Sequence, residues 1–211
     1  MGVDLGTRGC SSPAPEVHNE MADIDQRLAS FVGQLTEAVG SSCDPTPVCR
    51  AVKGVLTEFI RPGHAFLPAD VLRPAKDHYA RNLLHRDPQG RFCVIVMVWS
   101  EGQGTPIHDH GGLWCVECVY RGRIRVRSYD RGEDDGTHAT FRETEAVVAG
   151  CGEAGHLIPP FDYHIIDNPF GDGAASTVHV YGGDMNHCRV FEPVGDGQRY
   201  LQRDRALAFA E

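Results

Sequence analysis

The sequence has no stretch long and apolar enough to cross a membrane. Its first residues, MGVDLGTRGCSSPAPE, also lack the apolar core of a signal peptide. We therefore expect a cytoplasmic protein with no membrane partner. Basic residues are not in excess: 20 lysines and arginines against 29 aspartates and glutamates give a net charge of −9. Because nucleic-acid binding requires a basic surface that neutralises phosphates, nucleic acid is not an expected partner.

Two chemical motifs are also missing. The sequence has no glycine-rich loop of the P-loop or dinucleotide-binding kind, which disfavours a doubly wound α/β sheet. Cys115 and Cys118 form a CxxC without a second pair, inside an apolar run, so spacing alone gives little support for zinc or redox chemistry. The eight cysteines are scattered along the chain, and we expect free thiols rather than disulfides.

The N-terminal third has the periodicity of two amphipathic helices. The first apolar stripe recurs every three or four positions and consists of Ile24, Leu28, Phe31, Leu35 and Val39. A second helix is predicted to begin at Thr46 and Pro47, with the threonine as its cap. Both helices are expected to cover one side of a sheet. Residues 1–21 are expected to form a flexible tail, and residues 22 to about 74 a helical region.

After Pro74 the pattern changes to short β-rich runs. RFCVIVMVWS (91–100) reads as a continuous apolar strand, and CVECVYRGRIRVRSYD (115–130) alternates and turns at Arg121-Gly122. Further candidate strands are HATFRETEAVV, HLIPP, DYHIID, STVHVYG and RVFEP. Many short strands without intervening helices indicate an antiparallel barrel or sandwich. The sequence thus predicts a single domain over residues 22–211, with a β-barrel from about 75 to 211.

The stretch TPIHDHGGLWC contains the first chemical signal, a pair of histidines one residue apart. In a strand, His108 and His110 would point to the same face and aim both imidazoles at one point. Two core histidines satisfied by hydrogen bonds would give the same pattern. The longer string GQGTPIHDHGGLWCVECVYRG resembles the first signature of the cupin superfamily, with Cys115 in the usual glutamate position.

The segment from Pro159 to Asn168 resembles the second cupin signature, with Phe161 where a glycine is usual. The resemblance implies a mainly β cupin fold, a double-stranded β-helix or jelly-roll barrel with the N-terminal helices packed outside, and His164 as a third metal ligand. Three neutral imidazoles without a carboxylate leave positions open for substrate and oxygen. Without the acidic ligand, the metal site also keeps an extra positive charge, which favours thiolates. Fe(2+) fits such a site, although the ligand set alone would also accept zinc, nickel or copper.

Between Tyr79 and Glu192 the chain resembles the cysteine dioxygenase family of cupin-fold thiol dioxygenases. YARNL (79–83) is similar to the family segment whose arginine binds the substrate carboxylate, which implies that role for Arg81. Guanidinium suits it, because its planar fork can grip a carboxylate. Tyr79 in the same segment is a candidate pocket residue that would equally suit the core. VHVYGGDMNHC is similar to the segment that carries an outer-sphere histidine and tyrosine, here His179 and Tyr181.

Some members of this family join a cysteine to the active-site tyrosine through a thioether. Cys115 and Tyr181 stand at those positions, so the pair is available for a crosslink. Thr177 replaces the serine of the family's Ser-His-Tyr relay and keeps the hydroxyl. Two further departures alter the surroundings: Trp114 is bulkier than expected, and Gly182-Gly183 follow the tyrosine where animal enzymes have Ser-Pro.

The resemblance implies a mononuclear non-haem iron enzyme that uses dioxygen to oxidise the thiol of L-cysteine to the sulfinic acid, a step of cysteine catabolism. The substrate is expected to be a small thiol that carries a carboxylate, and 3-mercaptopropionate and mercaptosuccinate are alternatives. A hypothesis of another class is a non-catalytic or zinc-binding cupin that binds a small acid.

Overall fold

A computed structural model describes residues 16–195 and 199–210. Two helices, α1 (Glu16–Gly40) and α2 (Pro45–Phe59), are followed by a short 3-10 turn at Asp70–Leu72. The strands described are β1 (Ala80–Arg86), β2 (Cys93–Trp99), β3 (Ile107–His108), β4 (Cys115–Arg121), β5 (Arg123–Asp134), β6 (His138–Gly150), β7 (Ala154–Leu157), β8 (His164–Asp167), β9 (Ala175–Tyr181), β10 (His187–Val194) and β11 (Arg199–Ala206).

The first helix begins earlier than its apolar stripe indicates. α1 starts at Glu16, within the segment predicted as a tail that extends to residue 21. Residues 1–15, the rest of that predicted tail, lie outside the described residues.

The predicted cap of α2 is wrong by two residues. Asp44, not Thr46, is the N-cap: its backbone is extended, and its carboxylate accepts a hydrogen bond from the Thr46 backbone N at 2.9 Å. Pro45 therefore takes the first helical position instead of Pro47. Proline is tolerated throughout the first turn because those backbone N–H groups have no partner inside the helix.

The strands form two sheets. The first has the order β1-β2-β9-β4-β7, and the second closes as β10-β11-β6-β5-β8-β3. The neighbouring strands pair antiparallel, as the short runs without intervening helices predict. This mainly β architecture with two outer helices is the predicted cupin fold.

The packing of strand β2 explains why its sequence is apolar throughout. Alternate side chains point to opposite faces of a strand. Val94 and Val96 pack against α1 and α2, whereas Ile95 and Trp99 pack into the interior between the two sheets. Both faces are buried, so no polar alternation is left in the sequence. The helices thus cover one side of a sheet, as predicted.

The same alternation on β4 and β9 brings polar groups inside. On β4, Val116 and Cys118 face the helices, so Cys115 and Glu117 face the interior. On β9, Val178 and Val180 face the helices, so Thr177, His179 and Tyr181 face inward. A row of polar side chains therefore lies on the interior faces of two adjacent strands.

Within the described residues every cysteine is free, as expected; Cys10 lies outside them. No helix in the same ranges is long and apolar enough to span a lipid bilayer.

Candidate metal centre

The three histidines predicted as metal ligands lie together. Ring centroids are 5.2 Å apart for His108 and His110, 4.6 Å for His108 and His164, and 5.1 Å for His110 and His164. The Nε2 atoms of His108 and His164 are 3.2 Å apart. The three offer ligand atoms that all lie within 4.8 Å of one another, and no carboxylate of the described residues belongs to this group.

Two of the rings are held through their Nδ1 atoms. His108 ends β3, and its Nδ1 is 3.2 Å from the carbonyl oxygen of Pro106. His110 lies beyond the strand, so the alternation of a single strand does not position it. Instead, the carboxylate of Asp162 accepts from the backbone N of His110 at 3.0 Å and lies 3.1 Å from its Nδ1. Such contacts leave both Nε2 atoms facing the site.

The electrostatics of the cluster suit a metal. Burial, and after it the neighbouring imidazoles, lower the pKa of His108 to about 3 and that of His164 well below its usual range. His108 and His164 are therefore neutral at physiological pH, which is the state that binds a metal. Two nitrogens bound at about 2.1 Å and at a right angle would be roughly 3 Å apart, close to the observed spacing. The site thus fits a metal ion with open positions.

Arg81 and Tyr79 lie in the pocket that contains His108, His164, His179 and Tyr181. Arg81 is buried, and its guanidinium donates to the carbonyl oxygens of Ala208 at 3.1 Å and Met185 at 3.0 Å. It also lies 5.4 Å from the ring centre of Phe209. The chain's C-terminal segment therefore forms part of the wall around this arginine. Tyr79 stacks on Trp99 with ring centres 4.5 Å apart, so it both lines the pocket and packs.

The predicted catalytic residues lie beside the histidine cluster. His179 Nε2 is 2.7 Å from the Thr177 hydroxyl, and its Nδ1 is 3.4 Å from the Tyr181 hydroxyl. Cys115 is the cross-strand partner of Tyr181, and its Sγ is 3.9 Å from His179 Nδ1. Burial raises the pKa of both Cys115 and Tyr181 well above their usual ranges, which favours a neutral thiol and phenol.

The two departures around Tyr181 are related in space. A Cβ added to Gly182 would lie 2.2 Å from Trp114 Nε1, well inside a permitted contact. The backbone N of Gly182 also donates to the Trp114 carbonyl oxygen at 3.0 Å. The bulky tryptophan thus occupies the space that any larger residue after the tyrosine would need.

Sequence reasoning missed several groups around the site. Glu117 is buried two residues after Cys115, and burial raises its pKa to about 7. Its position on the inward face of β4 was available from strand alternation. Asp162 and Arg205, which lines the pocket, had no such signal. Cys188, expected only weakly near the pocket, also lines it.

Fold and site together define a cupin with a buried three-histidine centre and an arginine-lined pocket. A family model described as "Cysteine dioxygenase type I" matches residues 72–193, more than half of the chain. The chain belongs to the cysteine dioxygenase type I family.

Curated relatives are distant. Cysteine dioxygenase type 1 of Danio rerio is 24% identical over 128 residues, which cover 59% of this chain and 63% of the relative. The Homo sapiens protein of the same name is 23% identical over 114 residues, or 54% of this chain and 56% of the relative. The chain therefore matches less than two thirds of the length of these relatives.

Solved structures with a similar fold include a Klebsiella pneumoniae protein with a double-stranded β-helix domain. It is 18% identical, with a TM-score of 0.41 and coverage of 67% of this chain and 98% of that one. Oxalate oxidase in complex with the substrate analogue glycolate has a TM-score of 0.42 at 18% identity, covering 58% of this chain and 62% of that one.

Proposed function

We propose that this protein is a mononuclear iron thiol dioxygenase that oxidises L-cysteine to its sulfinic acid with dioxygen. The observation that supports this most strongly is the combination of three converging histidines and one buried arginine in a single pocket. Arg81, His108 and His164 line one pocket, so we expect a small carboxylate-bearing thiol to engage both kinds of group at once. Family membership supports the same reaction class.

In this proposal His108, His110 and His164 hold Fe(2+). Iron so bound would supply positions at which a thiolate and dioxygen meet, and would favour the deprotonated, reactive form of the sulfur. Transfer of both atoms of one dioxygen molecule to the thiolate sulfur would balance as RS⁻ + O2 → RSO2⁻, the sulfinic acid level of oxidation. Asp162 orients His110, so the chain itself fixes the direction of that ligand.

Arg81 orients the substrate. Its guanidinium is already fixed by two backbone carbonyl oxygens, Ala208 and Met185, which hold the fork in place. A carboxylate bound there would hold the thiol of the same small molecule inside the pocket that also contains His108 and His164. This arrangement favours cysteine over cysteamine, which has no carboxylate.

Tyr181 is the hydrogen-bond donor of the proposal. Its high pKa keeps the phenol protonated, and His179 next to it is backed by Thr177. A protonated phenol in this pocket would donate a hydrogen bond to an oxygen atom on which negative charge develops. A thioether to Cys115 would hold that phenol in one orientation.

One observation favours a second substrate. Arg205 lines the same pocket as Arg81, so the chain offers a second cation to a ligand bound there. A dicarboxylate could engage both arginines, which makes mercaptosuccinate the first alternative and places 3-mercaptopropionate behind it. Arg205 is exposed and lies 3.8 Å from Glu192, which competes for its charge. Cysteine therefore remains the leading substrate.

Oxygen uptake by the iron-loaded protein tests the proposal, with L-cysteine, 3-mercaptopropionate, mercaptosuccinate and cysteamine supplied in parallel. We expect the fastest uptake with cysteine, slow uptake with cysteamine, and a sulfinic acid that carries both atoms of labelled dioxygen. His164→Ala is the control that should show no uptake. If the protein turns over mercaptosuccinate faster than cysteine, and the Arg205→Ala variant loses that preference, the dicarboxylate is the substrate instead of cysteine.

Absence of uptake with every thiol would overturn the enzymatic proposal. The alternative is then a non-catalytic or zinc-binding cupin that binds a small acid. Such a protein would take up zinc at the three histidines and bind the thiol-free acids succinate or propionate in an Arg81-dependent manner.

A further inference from the structure

Glu117 is a buried acid that the proposed reaction does not use. It lies on the inward face of β4, directly opposite His179 on β9, and is 8% exposed. An acidic side chain is almost never buried to this degree without partners, because removing a carboxylate from water is costly. Its neighbours should therefore explain it.

The two carboxyl oxygens of Glu117 face two imidazoles. Oε2 lies 3.5 Å from His179 Nδ1, and Oε1 lies 3.9 Å from His164 Nδ1. Within residues 16–195 and 199–210, neither Glu117 Oε2 nor His164 Nδ1 has a hydrogen-bond partner. A buried polar atom left in that state destabilises the fold, because it has lost its hydrogen bonds to water without a replacement. Hydrogen bonds from the neighbouring imidazole N–H groups to the Glu117 carboxyl group would remove that destabilisation for Glu117 Oε2 and for His164 Nδ1.

The other two histidines of the centre already have such acceptors. His108 Nδ1 faces the Pro106 carbonyl oxygen, and His110 Nδ1 faces the Asp162 carboxylate. His164 is the third member of the set, and Glu117 is the carboxyl group on its Nδ1 side. The pattern is the same for all three rings: Nδ1 points to an acceptor outside the cluster.

The second imidazole, His179, is held from its other side. Trp99 Nε1 is 2.9 Å from the Thr177 hydroxyl oxygen, and an indole N–H can only donate. Thr177 can then direct its own hydrogen to His179 Nε2, 2.7 Å away. A neutral imidazole that accepts at Nε2 carries its proton at Nδ1, on the side of Glu117.

We infer that Glu117 is a positioning residue that accepts the Nδ1–H of both His164 and His179 and so fixes their tautomers. For His164 this leaves the Nε2 lone pair directed into the three-histidine centre. For His179 it directs the Nδ1–H to Glu117, so the Tyr181 hydroxyl, 3.4 Å from that nitrogen, does not donate to it and keeps its own hydrogen free for the pocket. The consequence for catalysis rests on the proposed function; the tautomers do not.

The tautomers of both histidines can be read in the metal-free protein by long-range proton–nitrogen NMR of the uniformly labelled chain. We expect His164 and His179 to carry their proton on Nδ1 in the wild type. Glu117→Leu should move His164 toward Nε2–H or a mixture, whereas Thr177 still favours the Nδ1–H form of His179. Glu117→Gln has one acceptor oxygen and one donor amide, so one of the two rings should keep its wild-type tautomer.

Affinity for Co(II), used as the metal probe, gives a second readout that does not depend on turnover. Loss of an outer-shell acceptor typically weakens metal binding by about 10- to 100-fold. We expect a loss in that range for Glu117→Leu and a smaller loss for Glu117→Gln. Glu145→Gln, an exposed acid on the cavity that also contains Glu117, is the matched control and should change neither readout.

A wild-type protein with the proton of either histidine on Nε2 would overturn the inference. So would a folded Glu117→Leu variant with unchanged tautomers and unchanged Co(II) affinity. Should that variant not fold, the wild-type spectrum and Glu117→Gln still decide. Because neither experiment measures oxygen uptake, a protein that oxidises no thiol can still satisfy this inference, and the two proposals fail separately.

Discussion

Arg81 has two tasks that a substitution separates. Its guanidinium holds the carbonyl oxygens of Ala208 and Met185 and, in the proposed function, also a substrate carboxylate. Arg81→Lys keeps the charge but loses the planar fork. A hydrogen bond to a charged group contributes about 1.5–3 kcal/mol, so KM for cysteine should rise about 10- to 100-fold, with a smaller fall in kcat.

Steady-state oxygen uptake by Arg81→Lys measures this, with cysteamine as the internal control. Because cysteamine lacks the carboxylate, its KM should be unchanged. A parallel rise for both thiols would assign Arg81 to the pocket wall alone.

Cys115 and Tyr181 face each other across adjacent strands, which is the arrangement a thioether needs. Formation of the bond removes two hydrogen atoms, so the intact mass should fall by about 2 Da in wild-type protein that has turned over substrate. Cys115→Ser should keep the unmodified mass, bind iron normally and turn over more slowly. Cys118→Ser, on the opposite face of the same strand, is the control and should still show the mass loss. An unchanged wild-type mass would exclude the bond.

Single residues also mark the limit of inference from sequence. His108, His110 and His164 were identified because their spacing resembles a known signature, and they do lie together. Glu117 required only the observation that it shares a face with Cys115. Asp162 could not be found in this way, since it reaches His110 across 52 positions of the chain through a loop with no pattern of its own.

Between elements, the loops after His110 and after Tyr181 constrain each other through Trp114 and Gly182. Gly182→Ala would place a Cβ against the indole, and overpacking of this kind costs about 1–3 kcal/mol. The double variant Trp114→Ala/Gly182→Ala should lose less free energy of unfolding than the two single variants together, because the added Cβ no longer meets an indole. Denaturant unfolding of all three measures the coupling.

Gly155→Ala is the control for that cycle, since a Cβ there meets nothing within 4 Å. If the losses in free energy of unfolding are additive in the double variant, the two loops do not constrain each other.

The turn between β1 and β2 contains an acid whose ionisation stabilises the fold. Hydrogen bonds from the side chain and backbone of Arg91 hold the pKa of Asp87 far below its usual range. Because the folded-state pKa is the lower one, this stabilisation is present above about pH 4 and is lost as the pH falls below it.

Melting temperatures measured between neutral and acidic pH test this. Asp87→Asn should melt lower than the wild type at neutral pH, and the difference should shrink below about pH 4. Asp172→Asn, in an exposed ion pair with Arg123, should follow the wild type. A constant difference at every pH would contradict the assignment.

Elements with strong periodicity were the ones that sequence could identify. The apolar run that became β2 and the stripe of α1 follow directly from which faces they bury. β11 was missed because most of its side chains are exposed and polar, so neither alternation nor hydrophobicity marks it. Its place in the second sheet depends on pairing with β10 and β6, which local sequence does not encode.

Metal binding should raise the thermal stability of the whole molecule. An ion that binds only the folded state at 100 times its Kd adds about 2.7 kcal/mol, or roughly 5–10 °C in melting temperature for a chain of this size. Fe(2+) added without oxygen, or Co(II), should produce such a rise, and a chelator should reverse it. His164→Ala should abolish the rise, whereas His138→Ala should not. An equal rise in both variants would place the metal elsewhere.

The molecule's architecture was accessible from sequence because two independent signals agree: helices then strands along the chain, and a signature that belongs to one fold. The outer wall of the pocket could not be predicted from sequence, because it is assembled from Arg81 near the start of the barrel and Ala208 near the end of the chain. Contacts between positions so distant leave no local pattern.

That wall has a practical consequence for handling the protein. The backbone N of Ala210 donates to the carbonyl oxygen of Arg81 at 2.8 Å, so the chain's last residues run beside the pocket. An affinity tag joined directly after Glu211 would start next to this contact. A tag joined ahead of α1, which packs on the helical side of the sheet, is the better choice for kinetic work.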